Sequence, residues 1–301
     1  MTDTGIGLLV YNRPEHTQAV LNGLKQNDID YLYIFSDGPA TVDDQPAIER
    51  TRDIIRDVSW CETELITYER NRGLREAQLS CFEHILERHD RIVYIEDDCV
   101  PAKDFMNFVS QALDEYSDTD RVMNIQGYSP PIRIPRNYEY DGYFTRRSGS
   151  WGLATWQDAW EQYSRDANEF REFVKSDQNV QKLNQAGKGL KQLLEKDIQG
   201  EISSPQAWWS YTLVRNDGLS LSPVESRVAN IGHDGSGTHS GDHSRYDVNL
   251  PKTESIQFNF PPEPSLNELI NRRYNRYTNA RGRKDYYFEV LKDLFSRLKP
   301  V

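Results

Sequence analysis

Three acidic residues in a row, Glu96-Asp97-Asp98, follow directly on the apolar run Arg91–Ile95 (RIVYI). Asp and Glu are poor strand formers. At about 4 Å and an effective dielectric near 20, a pair of carboxylates repels by roughly 4 kcal/mol. A divalent cation reverses that sign, and hard oxygen donors select Mg2+ or Mn2+. The bland alternative is a solvated turn ahead of Pro101. A cation held here needs a second anionic partner. A nucleotide pyrophosphate is the natural one, because the ion bridges the two and neutralises the leaving phosphate.

Other residues at the ends of apolar runs suit the same chemistry. Asp37, in Ser36-Asp37-Gly38-Pro39, is placed to accept a hydrogen bond from a pyrimidine ring N–H, or else to organise an Asp-Gly-Pro turn. Arg13, Arg72 and Arg75 carry the planar fork that clamps phosphate, although each also fits a solvated surface.

The elements that must position these groups alternate regularly over the first 126 residues. Gly5–Val10, Tyr31–Phe35, Glu64–Tyr68, Arg91–Ile95 and Val122–Gln126 read as strands. Helices are expected from Pro14 to about Gln26, over about Asp43–Asp57, over Leu74–Arg88 and over about Asp104–Tyr116. Strands and helices in alternation mean βαβ units, a mostly parallel sheet and helices on both faces. Ligands of such sheets bind beyond the carboxyl ends of the strands, so the polar strand ends are expected to converge.

After residue 127 the alternation stops, at Pro130, Pro131 and Pro135. Aromatic-rich segments follow around Trp151–Trp160, with spacings that fit one buried helix face for Trp156 and Trp160, while Trp151, preceding Gly152, is the candidate for packing on a ligand's apolar C–H surface. Two polar helices are expected near 168–197 and a third, bearing Trp208 and Trp209, near 205–216. A glycine-rich loop spans Gly232–Gly241, and two helices with basic outer faces span about 266–298. The expected organisation is one α/β unit. Residues 1–126 are expected to form a nucleotide-binding half, 127–260 a second half of the same domain, and 261–301 a basic helical tail.

Composition bounds the function. The chain has 301 residues, a net charge of −11, and six Trp, seventeen Tyr and eleven Phe, ample for a packed core. The acidic balance argues against a nucleic-acid binder. The charge is uneven, with +6 on residues 270–301 and −17 on the rest, so peripheral contact with anionic lipid at the inner membrane face is one expectation for the tail. No apolar run approaches the roughly 18 residues of a transmembrane helix, and the N-terminus lacks a signal-peptide pattern. Cys61, Cys81 and Cys99 show no zinc-ligand spacing, which suits a reducing cytoplasm.

In this setting the chain resembles glycosyltransferases of the GT-A fold, and most of all the bacterial sugar-transferase branch related to N-acetylglucosaminyltransferase I. Val10-Tyr-Asn-Arg-Pro14 resembles the first nucleotide loop, and Ser36-Asp37-Gly38 the uracil-side loop. Asn71-Arg-Gly-Leu74 opens the helix before the metal strand, and Tyr94-Ile-Glu-Asp-Asp98 is similar to the acidic metal motif. Ser150-Trp-Gly-Leu-Ala-Thr-Trp156 resembles the acceptor-side segment. Pro223-Val-Glu-Ser226 with Asn230–His239 resembles the late loop over the diphosphate. Together the segments cover residues 5–240.

The resemblance implies a hexosyl- or N-acetylhexosaminyltransferase that uses a UDP-sugar and Mn2+ or Mg2+, inverting at the anomeric carbon. Tyr11, Asn12 and Arg13 would then contact base and ribose, and Asp37 would read the uracil. Asp97 would lie near ribose or sugar, and Asp98 would ligate the metal. Ser236 to His239 would fold over the phosphates, with His239 either completing the metal shell or serving only as a loop histidine. The acceptor would be a surface glycan or its lipid-linked precursor. One departure stands out. Gln206 and Ala207, ahead of Trp208, occupy the place of the group's acidic base, and glutamine takes no proton at neutral pH. Glu201 and Asp234 are the substitute carboxylates. Two rival readings remain, a non-catalytic sugar-nucleotide or glycan-binding module and a sugar nucleotidylyltransferase, the latter lacking its Gly-rich phosphate loop after strand one.

Overall fold

A computed structural model describes residues 3–234 and 246–279. In chain order the elements are β1 (Thr4–Val10), α1 (Pro14–Leu24), β2 (Tyr31–Ser36), α2 (Gln45–Arg56), β3 (Glu62–Thr67), α3 (Gly73–Leu86), β4 (Arg91–Glu96), β5 (Cys99–Pro101), α4 (Phe105–Glu115) and β6 (Val122–Gln126). There follow β7 (Gly142–Thr145), β8 (Leu153–Trp156), α5 (Gln157–Trp160), α6 (Ala167–Phe173), α7 (Asp177–Gln185), α8 (Leu190–Ile198), α9 (Pro205–Arg215), β9 (Leu219–Pro223), β10 (Val228–Asn230) and α10 (Glu268–Asn279).

The apolar runs form the centre of an eight-stranded sheet ordered β3-β2-β1-β4-β8-β6-β9-β7. Strands β3, β2, β1 and β4 pair in parallel, as do β6 and β9. Strand β8 lies antiparallel between β4 and β6, and β7 runs antiparallel on β9. The fold is therefore mixed α/β with a mostly parallel sheet, as expected. Residues Ile92–Ile95 of β4 have no exposed surface, the pattern of a strand covered on both faces. Helix α3 lies close on β1, where a Cβ at Gly7 would come within 2.6 Å of Cys81 Sγ and 2.7 Å of Ile85 Cδ1. Glycine there sets the helix–sheet distance.

Several expectations after residue 127 need correction. Four further strands occur there, and three of them, β7, β8 and β9, complete the main sheet. Trp156 and Trp160 do not share a helix face, since Trp156 ends β8 and Trp160 ends the short α5. Both nevertheless face the core, Trp160 stacking on Tyr163 with ring centroids 4.7 Å apart. Three helices, not two, lie between residues 167 and 198. With α9 they enclose a second small core of Phe170, Leu183, Leu194, Trp208 and Tyr211. Each fully buried Leu or Phe of this kind contributes about 1.5–3 kcal/mol. In the tail, α10 docks Ile270 and Tyr274 beside Tyr143 of β7. The second expected tail helix lies outside the described residues.

Candidate active site

The carboxyl ends of β1 and β4 adjoin, with Leu9 opposite Glu96 in register. The polar segments that follow them must therefore meet. Asp97 accepts a hydrogen bond from the Tyr11 amide (3.1 Å), so the first loop is fastened to the acidic triplet. Arg13 Nη1 donates to Asp98 Oδ2 at 3.0 Å and lies 3.8 Å from Asp97 Oδ1. Pro14 then begins α1 with the fixed φ that suits a first helical turn.

A two-stranded antiparallel ribbon braces the other side of the triplet. Strand β10 pairs with β5, Asn230 opposite Cys99. Asn230 Nδ2 donates to Asp98 Oδ1 (2.9 Å), Cys99 Sγ approaches the same oxygen (3.3 Å), and the Ile231 amide donates to the Asp98 carbonyl (2.8 Å). Gly232 closes the bracket. A Cβ at that position would come within 2.2 Å of Asp98 Oδ2.

Ligand atoms of Glu96, Asp98 and Cys99 lie within 4.8 Å of one another. Two carboxylates converging at this separation fit a hard divalent cation, and the neighbouring thiol adds a softer donor. The electrostatics agree. Burial, followed by the nearby Asp98 charge, pushes the Glu96 carboxyl up to about 8, against an opposing hydrogen bond from Ser150. Burial and Asp98 likewise raise Asp97 to about 6, with Arg13 and the Tyr11 amide acting the other way. Such a cluster is short of positive charge.

Loops from β2 and β3 form the adjoining wall. Tyr11 OH accepts from the Ala40 amide (3.0 Å), and Asn12 Nδ2 donates to Asp44 Oδ1 (2.8 Å). Asp37 is buried, and its carboxylate accepts four hydrogen bonds. The donors are the amides of Gly38 (2.8 Å), Arg72 (2.9 Å) and Gly73 (3.0 Å) and the side chain of Asn71 (3.1 Å). A carboxylate offers about four acceptor sites, so the turn-organising role fills Asp37. Arg72 lays its guanidinium 3.8 Å from the Tyr68 ring centre and donates to Ser80 Oγ (2.9 Å). Arg75 points to Asp197, a carboxylate with no exposed side-chain surface.

The two candidate bases part company. Glu201 lies on the turn after α8, 54% exposed and 3.9 Å from Lys196 Nζ. Asp234 follows the Gly232 bracket and lies 3.3 Å from Nε2 of His16 on α1. Gln206, in the first turn of α9, donates Nε2 to Ser148 Oγ at 2.6 Å, while its Oε1 is buried without a hydrogen-bond partner among the described residues. Trp151 is half-buried, edge-on to Tyr128, His233 and Tyr246. Ser236 and His239 lie outside the described residues.

Sequence reasoning missed Arg52, the contact of Asn71 with Asp37 and the bracing role of Asn230. Arg52 Nε donates to Ser36 Oγ and Nη2 to the Tyr68 carbonyl, tying the ends of β2 and β3. An arginine in an amphipathic helix gives no local sign of that. For Asn230, the short polar–glycine run Asn230-Ile-Gly232 was the available signal.

The chain thus belongs to the class of mixed α/β proteins with an acidic mouth at the carboxyl ends of central parallel strands. No protein-family model and no curated protein sequence matches it. Among solved structures, S. aureus TarS is similar, with TM-score 0.45 and 11% identity over 77% of this chain and 37% of that one. A structure of TarS 1-349 gives TM-score 0.43 and 10% identity over 74% and 59%. The mannosyltransferase PcManGT from Pyrobaculum calidifontis, in complex with GDP-Man and Mn2+, gives TM-score 0.39 and 13% identity over 71% and 74%. The chain spans less than two thirds of the length of either TarS structure. The functional assignment rests on the site's own residues.

Proposed function

We propose that this protein is a glycosyltransferase that moves a sugar from a UDP-sugar, assisted by Mn2+ or Mg2+, to an acceptor hydroxyl. The observation that carries the reading is the braced acidic mouth. Asp98 is gripped on Oδ1 by Asn230 and Cys99, and ligand atoms of Asp98 and Glu96 lie within 4.8 Å of one another at the carboxyl end of β4. A divalent cation held there by Asp98 and Glu96 would neutralise the diphosphate that departs from the sugar.

The chain's own groups divide the remaining work. The Tyr11–Arg13 loop and the 37–44 loop border the nucleoside, and Asp97 lies at the ribose side. Asp37 acts by fixing the 71–73 turn that forms one wall of this pocket. We assign the proton-accepting carboxylate to Asp234, oriented by His16, because Glu201 faces Lys196 on an outer turn. Displacement from the side opposite the diphosphate inverts the anomeric carbon. A hydroxyl of a growing surface glycan or its lipid-linked precursor is the acceptor this reading implies.

Product analysis with UDP-sugars and MnCl2 tests the assignment. A glycosyltransferase releases UDP, a nucleotidylyltransferase forms or consumes pyrophosphate, and a binding module retains UDP affinity with no turnover. Asp98→Asn is expected to remove metal-dependent UDP release while leaving the thermal midpoint within a few degrees of wild type. Retention of full activity by that variant would refute the assignment.

A further inference from the structure

Asp98 has one oxygen committed inward and one outward. Oδ1 is held by Asn230 and Cys99 from the β5–β10 ribbon. Oδ2 carries the Arg13 guanidinium at 3.0 Å. Arg13 itself is tethered lightly. Its side chain is 19% exposed, and among the described residues its only side-chain partners are Asp97 and Asp98. A guanidinium has five N–H donors in a planar fork, so most of its bonding capacity remains unused.

A hard cation binds a carboxylate oxygen at about 2.0–2.6 Å. An Arg13 nitrogen already sits 3.0 Å from that same oxygen. Two positive groups cannot share Oδ2 at such distances without strong mutual repulsion. Binding of the cation at Oδ2 therefore sets it against Arg13 and favours displacement of the guanidinium, whose long stem lets it move without disturbing Pro14 or α1. The displaced guanidinium then stands beside the mouth with its fork free. Its shape and charge match a diphosphate.

We propose that Arg13 is a built-in competitor of the divalent cation at Asp98, and that on displacement it becomes a ligand of the nucleotide diphosphate. This rests on the assignment of Asp98 as the cation-holding residue. The exchange couples the two ligands. Without nucleotide the cation must break the Arg13 ion pair uncompensated, and with nucleotide the freed guanidinium gains a new anionic partner. By linkage, each ligand tightens the other by the same factor. The enzyme thereby loads cation and nucleotide together and keeps the Asp98 carboxylate paired with Arg13 when neither is bound.

The test is direct titration of the purified chain with MnCl2, read by the paramagnetic resonance signal of free Mn2+, with and without UDP. Arg13→Gln is expected to bind Mn2+ alone about tenfold more tightly than wild type, and to lose most of the UDP-dependent enhancement. Arg13→Lys keeps the charge without the fork. It is expected to retain weak binding of Mn2+ alone while showing less enhancement by UDP, and it serves if Arg13→Gln does not fold. Asp98→Asn separates the two levels of the argument. If it binds Mn2+ as wild type does, the cation lies elsewhere and the functional reading fails. If it abolishes binding while Arg13→Gln binds Mn2+ no more tightly than wild type, the exchange alone is overturned.

Discussion

The Arg75 guanidinium reaches the Asp197 carboxylate, 122 residues further along the chain, and joins the first turn of α3 to the helical subdomain of α6–α9. Asp197 is also held by Arg165 Nη2 (3.1 Å), the Ser204 amide (2.7 Å) and the Trp208 indole N–H (2.9 Å). An arginine that the sequence placed among phosphate ligands thus works as a strut. It fastens the wall that carries the 71–73 turn to the helix that bears Gln206.

That strut has a pH signature. Burial alone would raise the Asp197 carboxyl, but the hydrogen bonds from Ser204 and Trp208 and the two guanidinium groups outweigh it and hold it below its ordinary range. A depressed folded-state value means that the unfolded chain binds the proton more readily. The contribution to stability is full above about pH 4 and is lost as the pH falls through the folded value. Asp197→Asn is expected to cost about 3 kcal/mol, and to flatten the acid limb of a stability profile followed by tryptophan fluorescence. A wild-type acid limb in the variant would contradict the role.

Gly232 is expected to tolerate no side chain. A methyl group there would meet Asp98 Oδ2 at 2.2 Å, so Gly232→Ala must push the carboxylate or the β10 end aside. We expect at least tenfold weaker Mn2+ affinity, of the kind that loss of ligand support produces, with little change in far-ultraviolet circular dichroism. Unchanged Mn2+ affinity would show that the bracket is not needed.

Asp37→Ala leaves the Gly38, Arg72 and Gly73 amides without their acceptor, while Asn71 Nδ2 keeps only the Gly38 carbonyl. Orphaned donors cost about 1–3 kcal/mol each when buried and less where water reaches them. The variant is expected to lower the thermal midpoint and to weaken UDP binding together. A variant that loses UDP affinity at full thermal stability would instead place Asp37 on the base itself.

Gln206 supplies a contrasting outcome. Its amide steadies Ser148 Oγ and has no proton-accepting capacity at neutral pH. Gln206→Ala is expected to raise the acceptor KM and to lower kcat by no more than about tenfold, whereas removal of a general base typically costs roughly 10²–10⁴. Steady-state kinetics with varied acceptor distinguish the two, and a thousandfold loss of kcat would return Gln206 to the centre of the chemistry.

How far the chain was readable follows from where each signal lives. Strands β1, β2 and β4 are six or seven residues of mostly apolar, buried character, and a local window finds them. Strands β3 (ETELIT) and β6 (VMNIQ) carry a weaker apolar signal and are marked chiefly by their place in the strand–helix alternation. Strands β5, β7, β8 and β10 are three or four residues long. Their identity comes from partners such as Pro101 opposite Val228 or Arg91 opposite Trp156, which no local window contains. Glu96-Asp97-Asp98 was visible because three adjacent carboxylates after a buried strand need a reason. The partners of Arg13, Arg75 and Asp37 were not, since an arginine looks alike in sequence whether it meets a phosphate, a solvent face or a carboxylate across 85 or 122 positions.

The β5–β10 ribbon also orders events in time. A growing polypeptide completes β1 through β4 early, yet the Asn230 that steadies Asp98 is synthesised 132 residues later. Until Val228–Asn230 has left the ribosome, the acidic mouth has a floor and no clasp. A nascent or prematurely terminated chain therefore has β1–β4 in hand while Asp98 lacks its Asn230 donor, and a ligand of the mouth can reward folding only after the late ribbon has closed.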